Sequence, residues 1–296
     1  MYRRPSLKTM NTQTIAVADL DNHTARAEAA PRAAVIGEPP ARTLGSTFRQ
    51  LRPVILPVGF GVCVLAFWEI LVWAIDYPAQ ILPAPTAIVA ALFENRALLI
   101  ANIIPTAGVA FGGFLIALVA GVAISVAMTW SQYLKEGLYP NIIAFQIVPK
   151  VAWAPMFVLW LGIETESRLG FATFISIFPI IISMTAGLYN TDPSMLKLCR
   201  ALTASKWQML VNVRFPYALP YLFSAMKISV TLAMIGVIVG EFITSQRGLG
   251  FVILVAAGRL ETDLMMASVL VLCIIGLTFY GIVEIGTRAV DRWFGQ

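Results

Sequence analysis

Charge is scarce in this sequence: Asp, Glu, Lys and Arg make up only 12 % of its 296 residues, about half the share of an ordinary soluble domain. Histidine is nearly missing. The one copy, His23, lies in a polar stretch near the start, which leaves no histidine-based metal or acid–base centre. Three cysteines, Cys63, Cys199 and Cys273, stand far apart. Their spacing fits neither a metal site nor a disulfide, so they read as small packing residues. No G-x-x-x-x-G-K-[ST] phosphate loop and no G-x-S-x-G nucleophile elbow occurs, so no catalytic residues are expected, and any nucleotide-driven work must come from another chain.

What the sequence has is apolar length. Apolar residues account for 58 % and the mean hydropathy is strongly positive, the pattern of a helical membrane bundle. Residues 1–50, rich in Ala, Arg, Thr and Pro, read as a disordered cytosolic tail without a signal peptide. Residues 51–296 then form the membrane domain, with six spans expected at about 53–75, 103–130, 139–161, 169–189, 217–243 and 264–289. An even number puts both termini on one side. With that side inside, the interior collects most of the 21 basic residues: the tail up to Arg52, then Lys135, Lys197, Arg200, Lys206, Arg214, Arg288 and Arg292. Outer loops hold only Arg96, Arg168, Arg247 and Arg259. The positive-inside rule therefore assigns both termini to the cytosol. The net charge of +5 forms no clustered patch with stacking aromatics, so nucleic acid is not an expected partner.

One cytosolic segment breaks the apolar pattern. In "MLKLCRALTASKWQMLVNVRFPYALP" (Met195–Pro220), Asp192 and Pro193 form a helix start. Met195, Leu198, Cys199 and Leu202 recur on one apolar face, while Lys197 and Arg200 point elsewhere. Ser205 with Gln208 three residues later is a capping-box pattern for a second short helix, with Trp207, Leu210 and Val211 on its apolar side. Pro216 and Pro220 end this piece and begin the next span. Two readings fit: an interfacial helix lying on lipid headgroups, or a rigid knob that takes force from a cytosolic partner.

The segment resembles the "EAA" loop of binding-protein-dependent ABC importer permeases: E-A-A, a glycine four positions on, then I-x-L-P. Those places hold Lys197, Leu198, Cys199, Thr203, Val213, Phe215 and Pro216. The flanking stretches "VPKVAWAPMFVLWLGIETESR", "IFPIIISMTAGL", "RALTASKWQMLVNVRFPYALPYLFSAMKISV" and "GEFITSQRGLGFVI" are similar to the nitrate/sulfonate/taurine/bicarbonate branch, which includes thiamine-precursor and riboflavin systems. The resemblance covers about residues 53–292. It implies an all-α, six-span type I permease whose coupling segment, 193–212, contacts an ATPase through Lys197, Leu198, Arg200, Ala201, Thr203, Ala204, Ser205, Trp207 and Pro216. It further implies a second permease copy, a solute-binding protein outside, surrounding lipid, a bacterial inner-membrane location, and ATP and Mg held by the ATPase rather than by this chain. Lys197 replaces an acidic residue. Thr203 replaces glycine, and a β-branched residue tolerates positive φ poorly, so Thr203 is expected to cap or continue a helix in a differently shaped corner.

Charged residues inside the spans are candidates for the translocation path. Lys150 and Lys227 either line that path for a small polar or anionic solute or serve structure by snorkelling or pairing with carboxylates. Pro149, Trp153, Met156 and Trp160 form a stripe on the third span that reads as a path wall or as packing. Glu241 either faces the outer vestibule or is buried against a polar partner; Glu69 and Glu284 read as structural. Gly108/Gly112 and Gly236/Gly240 are G-x-x-x-G pairs, read first as packing within one subunit. Outside, Glu164, Glu166, Arg168, the 76–102 loop and the short helix in 245–263 are docking candidates for the binding protein. A secondary transporter would favour inverted repeats, and a membrane scaffold would use the cytosolic helices without a solute path.

Overall fold

The computed structural model describes residues 44–244 and 246–294; the expected tail up to residue 43, with His23, and Ser245 lie outside the described residues. The chain divides into a unit ending at Phe60 and a unit from Gly61 onward. The packing described below belongs to the second.

Every regular element among the described residues is helical. Helix α1 runs Leu44–Ile75, beginning inside the expected tail, and is followed by α2 (Pro85–Glu94) and α3 (Arg96–Trp130). Glu69 of α1 caps α2, accepting from Thr86 N at 3.1 Å and Thr86 Oγ1 at 2.7 Å; this is the structural role its sequence position indicated. Helices α4 (Gln132–Ile147) and α5 (Ala154–Leu161) are joined by a 3₁₀ turn, Lys150–Trp153. Then come α6 (Thr165–Tyr189), α7 (Pro193–Ala201), α8 (Lys206–Met209), a π turn (Leu210–Arg214), α9 (Phe215–Thr244), α10 (Leu249–Gly258) and α11 (Thr262–Phe294). Among the described residues, five helices are long and apolar enough to cross a membrane, or six if α4 and α5 count as one bent span.

The stretch expected as the third span, 139–161, is sharply bent: α4 and α5 meet at 96°. The cause is local. A proline pushes the preceding residue out of the helical region, and Val148 before Pro149 is extended, at φ −63 and ψ 138. Pro155 then restarts the helix in its first turn, where its missing N–H breaks no helical bond.

Helix α6 is clamped between α3 and α9, and small residues make the clamp. A Cβ on Gly113 of α3 would lie 2.8 Å from Ala172 Cβ, and one on Gly236 of α9 would lie 2.8 Å from Ala172 Cα. Further along, Gly121 faces Ile180, Gly187 faces Ala218, and Gly240 faces Arg168. Hydrophobic burial drives little association between helices in lipid, so close backbone approach supplies van der Waals contact in its place. The G-x-x-x-G pair at 236 and 240 thus packs within the subunit. The pair at 108 and 112 does not act as a unit, because a Cβ on Gly108 meets nothing while one on Gly112 meets only Leu169. The helix face that matters on α3 is one residue further on, at Gly113.

Gly236→Ala is expected to force α9 away from α6 and lower stability by about 1–3 kcal/mol, read as a drop in melting temperature of the purified permease. Gly108→Ala, where a Cβ meets nothing, should cause no such drop and raise that temperature slightly.

Candidate functional site

The segment between α6 and α9 is built by local hydrogen bonds that its residues dictate. Asp192 Oδ1 accepts from Ser194 N at 2.7 Å, opening α7. Ser205 Oγ accepts from Gln208 N at 3.2 Å while Gln208 Oε1 accepts from Ser205 N at 2.8 Å, closing a reciprocal capping box on α8. Between them lies the corner. Thr203 N donates to Arg200 O at 3.0 Å and Ala204 N to Cys199 O at 2.9 Å, the paired bonds of a Schellman cap. Such a cap needs a left-handed residue, and Thr203 supplies it at φ +56. The expectation that threonine reshapes the corner is therefore corrected: the left-handed turn is kept, and the side chain bears strain that a glycine would not.

Pro216 opens the next span, as its place in the sequence indicated, but without a break in the helix. Helix α8 passes through the π turn directly into α9, where Pro216 is the second residue, and Phe215 N donates five residues back to Leu210 O. Pro216 has no N–H to give the carbonyl four residues earlier, and its ring crowds that carbonyl; a widened turn just before it absorbs both faults. The elbow thus has a tight corner at 202–204 and a widened turn at 210–214.

On α7, Met195, Leu198 and Leu202 are exposed, at 48, 54 and 70 %. Lys197 and Ala201 are exposed as well, and Ala204 is half-buried. Trp207 is largely exposed, with its ring 5.6 Å from that of Trp130 on α3. Leu210 is buried among Ile180, Met184, Leu188, Ala218 and Leu222. The elbow is therefore anchored at its root and bare along α7.

The candidate path residues do not converge. Lys150, at the α4–α5 bend, lies 5.2 Å from the Phe178 ring centre. Trp153 is half-buried against Phe145 and Phe174, whereas Met156 and Trp160 are exposed; the bend splits the expected stripe into a packed part and an open part. Lys227 pairs with Glu284 of α11 at 2.6 Å, and Glu284 also pairs with Arg288 at 2.9 Å. That is the pairing role weighed for Lys227, beside a shallow groove between α9 and α11 lined by Ile228, Thr231 and Tyr280.

Glu241 is fully buried against polar partners, the second of its two readings, and does not line an open path in this chain. Its Oε2 accepts from Gly250 N at 2.7 Å and its Oε1 from Thr106 Oγ1 at 2.8 Å. Thr106 Oγ1 in turn accepts from Leu249 N at 2.8 Å, and Asn102 Oδ1 accepts from Gly248 N at 2.7 Å. Three side chains thus satisfy the first N–H groups of α10, where an anion is also favoured by the helix dipole. Gly248 sits at φ +111 with the Glu241 carboxylate where a Cβ would go, so only glycine fits. Arg168, expected as an exposed docking residue, is buried. Its Nη2 donates to Thr165 Oγ1 at 3.1 Å and its charge acts on Glu241. Asn102 and Thr106 were not singled out in the sequence. The signal was there: a polar pair four residues apart, on one face of an otherwise apolar helix.

Bent and straight apolar helices around a glycine-lined seam, with a capped elbow between two of them, define a multi-span helical membrane protein. Its fold is similar to that of a solved inward-facing methionine ABC transporter, MetNI, with a TM-score of 0.58 and 19 % identity over 67 % of this chain and 98 % of that one. Residues 113–296 match the family described as binding-protein-dependent transport system inner membrane component. The chain is 32 % identical to the riboflavin transport system permease protein RibX of Chloroflexus aurantiacus, covering 80 % of this chain and 89 % of that protein. It is 27 % identical to the formylaminopyrimidine transport permease protein ThiX of Halalkalibacterium halodurans, over 77 % of this chain and 91 % of that one. The taurine transport system permease protein TauC of Escherichia coli shares 30 % identity over 61 % of this chain and 66 % of its own. The chain belongs to this family of ABC importer permeases.

Two outcomes test the site's construction. Thr203→Gly should relieve the left-handed strain and, after the added freedom of the unfolded chain, raise stability by about 0.5–1 kcal/mol, measured by thermal unfolding. Glu241→Ala should leave buried donors on Thr106 and Gly250 without partners and lower stability by about 1–3 kcal/mol in the same measurement.

Proposed function

We propose that this chain is the membrane half of an ATP-driven importer in a bacterial inner membrane, working as a homodimer with two cytosolic ATPases and an extracytoplasmic solute-binding protein. The elbow carries the reading: α7 is a rigid, capped helix with a bare apolar face, while the elbow's root is packed into the bundle. A motor closing on that face would push through the widened turn at 210–214 into α9 and rock it against α6. Both termini and the elbow belong on the cytosolic side by the distribution of basic residues. ATP and Mg belong to the motor, and this chain performs no covalent chemistry.

Helix α6 joins the two working faces. Tyr189 ends it beside the elbow, and Thr165 begins it at the far end of its 25 residues, about 36 Å away by helical rise. At that far end a polar cavity of about 310 Å³ is lined by Glu164, Thr165, Gln246 and Arg247, with the buried Arg168 at its base, suited to a loop of a binding protein. The solute is a small polar or anionic compound. Similarity to the riboflavin and formylaminopyrimidine permeases over most of the chain favours a vitamin or pyrimidine-precursor solute over a sulfonate or nitrate. Lys150, at the bend and half-buried, is the residue assigned to that path.

The test is co-purification of an ATPase followed by uptake in proteoliposomes. Met195→Ser with Leu198→Ser should leave the permease folded but reduce ATPase retention and ATP-dependent uptake at least about tenfold, the loss of two apolar anchors from a docking interface. Uptake that runs on an ion gradient without an ATPase would overturn the proposal.

A further inference from the structure

The geometry points to a binding site for the phosphate of an anionic phospholipid headgroup, set between the start of α4 and the elbow. A cavity of about 690 Å³ opens there and is lined by Lys135 of α4, Arg200 of α7, Lys206 of α8 and Arg214 of the π turn. A smaller lobe of about 160 Å³ shares Arg200, Lys206 and Arg214 with it. None of these four cations is ion-paired among the described residues. One carboxylate lines the cavity, Glu136, which accepts from Gln132 Nε2 at 2.8 Å.

Two of the cations are held together rather than merely crowded. Lys135 Nζ lies 3.4 Å from the centre of the Tyr189 ring, and the Arg214 guanidinium lies 5.9 Å from it. Tyr189 is itself fixed by donating its hydroxyl to Met128 O at 3.0 Å. One aromatic face thus draws in two like charges, and two more arrive from α7 and α8. Such an arrangement repels itself unless an anion sits among the four, and phosphate oxygens accept charge-assisted hydrogen bonds from several cations at once.

The position selects the source of that phosphate. Trp130, Tyr139 and Tyr189 line the same cavity, and Trp and Tyr gather at headgroup depth. Basic pockets at the ends of membrane helices on the cytosolic side are suited to anionic headgroups. The bound lipid would tie Lys135, at the entry of the bent arm, to Arg200 and Lys206 on either side of the Thr203 corner. The elbow would then be stiffened by the membrane itself, and coupling would depend on anionic lipid.

The full-length permease in nanodiscs of phosphatidylcholine, with and without phosphatidylglycerol, tests this. The wild type should retain phosphatidylglycerol in native mass spectra and melt at a higher temperature in its presence. Arg200→Gln with Lys206→Gln should weaken that retention at least about tenfold, while Lys197→Gln, outside the cavity, should leave it unchanged. Equal retention of both lipids by the wild type, or an equal loss in the Lys197 variant, overturns the site. So does full stabilisation by inorganic phosphate in phosphatidylcholine alone, which would assign the cavity to a soluble anion.

Discussion

The approach of three helix backbones at Ala172 is the constraint from which the rest of the structure follows. Gly113 and Gly236 are both within reach of this one alanine, and the fully buried Ala172 leaves no room for a larger side chain on any of the three helices. With α6 gripped this way, its two ends become fixed points. One holds Arg168 against Gly240 and the Glu241 cluster; the other presents Tyr189 beside the elbow. One continuous helix through the bundle therefore links the two faces.

The polar cluster at the opposite end from the elbow shows how an acidic group is kept in an apolar fold. Glu241 has partners for both oxygens, supplied by Thr106 and the backbone of α10, and a cationic neighbour in Arg168. A buried charge that is paired and hydrogen-bonded specifies geometry even where its net contribution to stability is small. Here the geometry specified is the docking of a ten-residue helix that is too short to span the bilayer alone.

Much of this was legible in the sequence, for physical reasons that differ by element. The long spans are readable because apolar length is itself the requirement for crossing lipid. The caps at Asp192 and Ser205 are readable because capping is local chemistry. The left-handed Thr203 was not, since propensity argues against it and the turn is imposed by the Schellman bonds around it. Nor was the bend at Val148–Pro149 foreseen as a break: Pro149 was noted, but composition cannot distinguish a kinked span from two helices at 96°. The partners of Glu241 lie 135 residues away in the chain for Thr106, a separation that no periodicity reports. Gly113 was passed over for Gly112 because a G-x-x-x-G pattern names a spacing and not a helix face.

The bend at Val148–Pro149 carries a demand of its own. Ile147, Val148 and Val151 around it are exposed, at 80, 39 and 55 %, and the backbone there leaves the helical pattern that would satisfy its carbonyls. Hydrocarbon cannot hydrate such groups, so irregular backbone at membrane depth survives only against protein or water. A single copy of this chain adrift in a bilayer would dimple the lipid around that joint. Something wet or proteinaceous has to close over that joint wherever it lies at membrane depth.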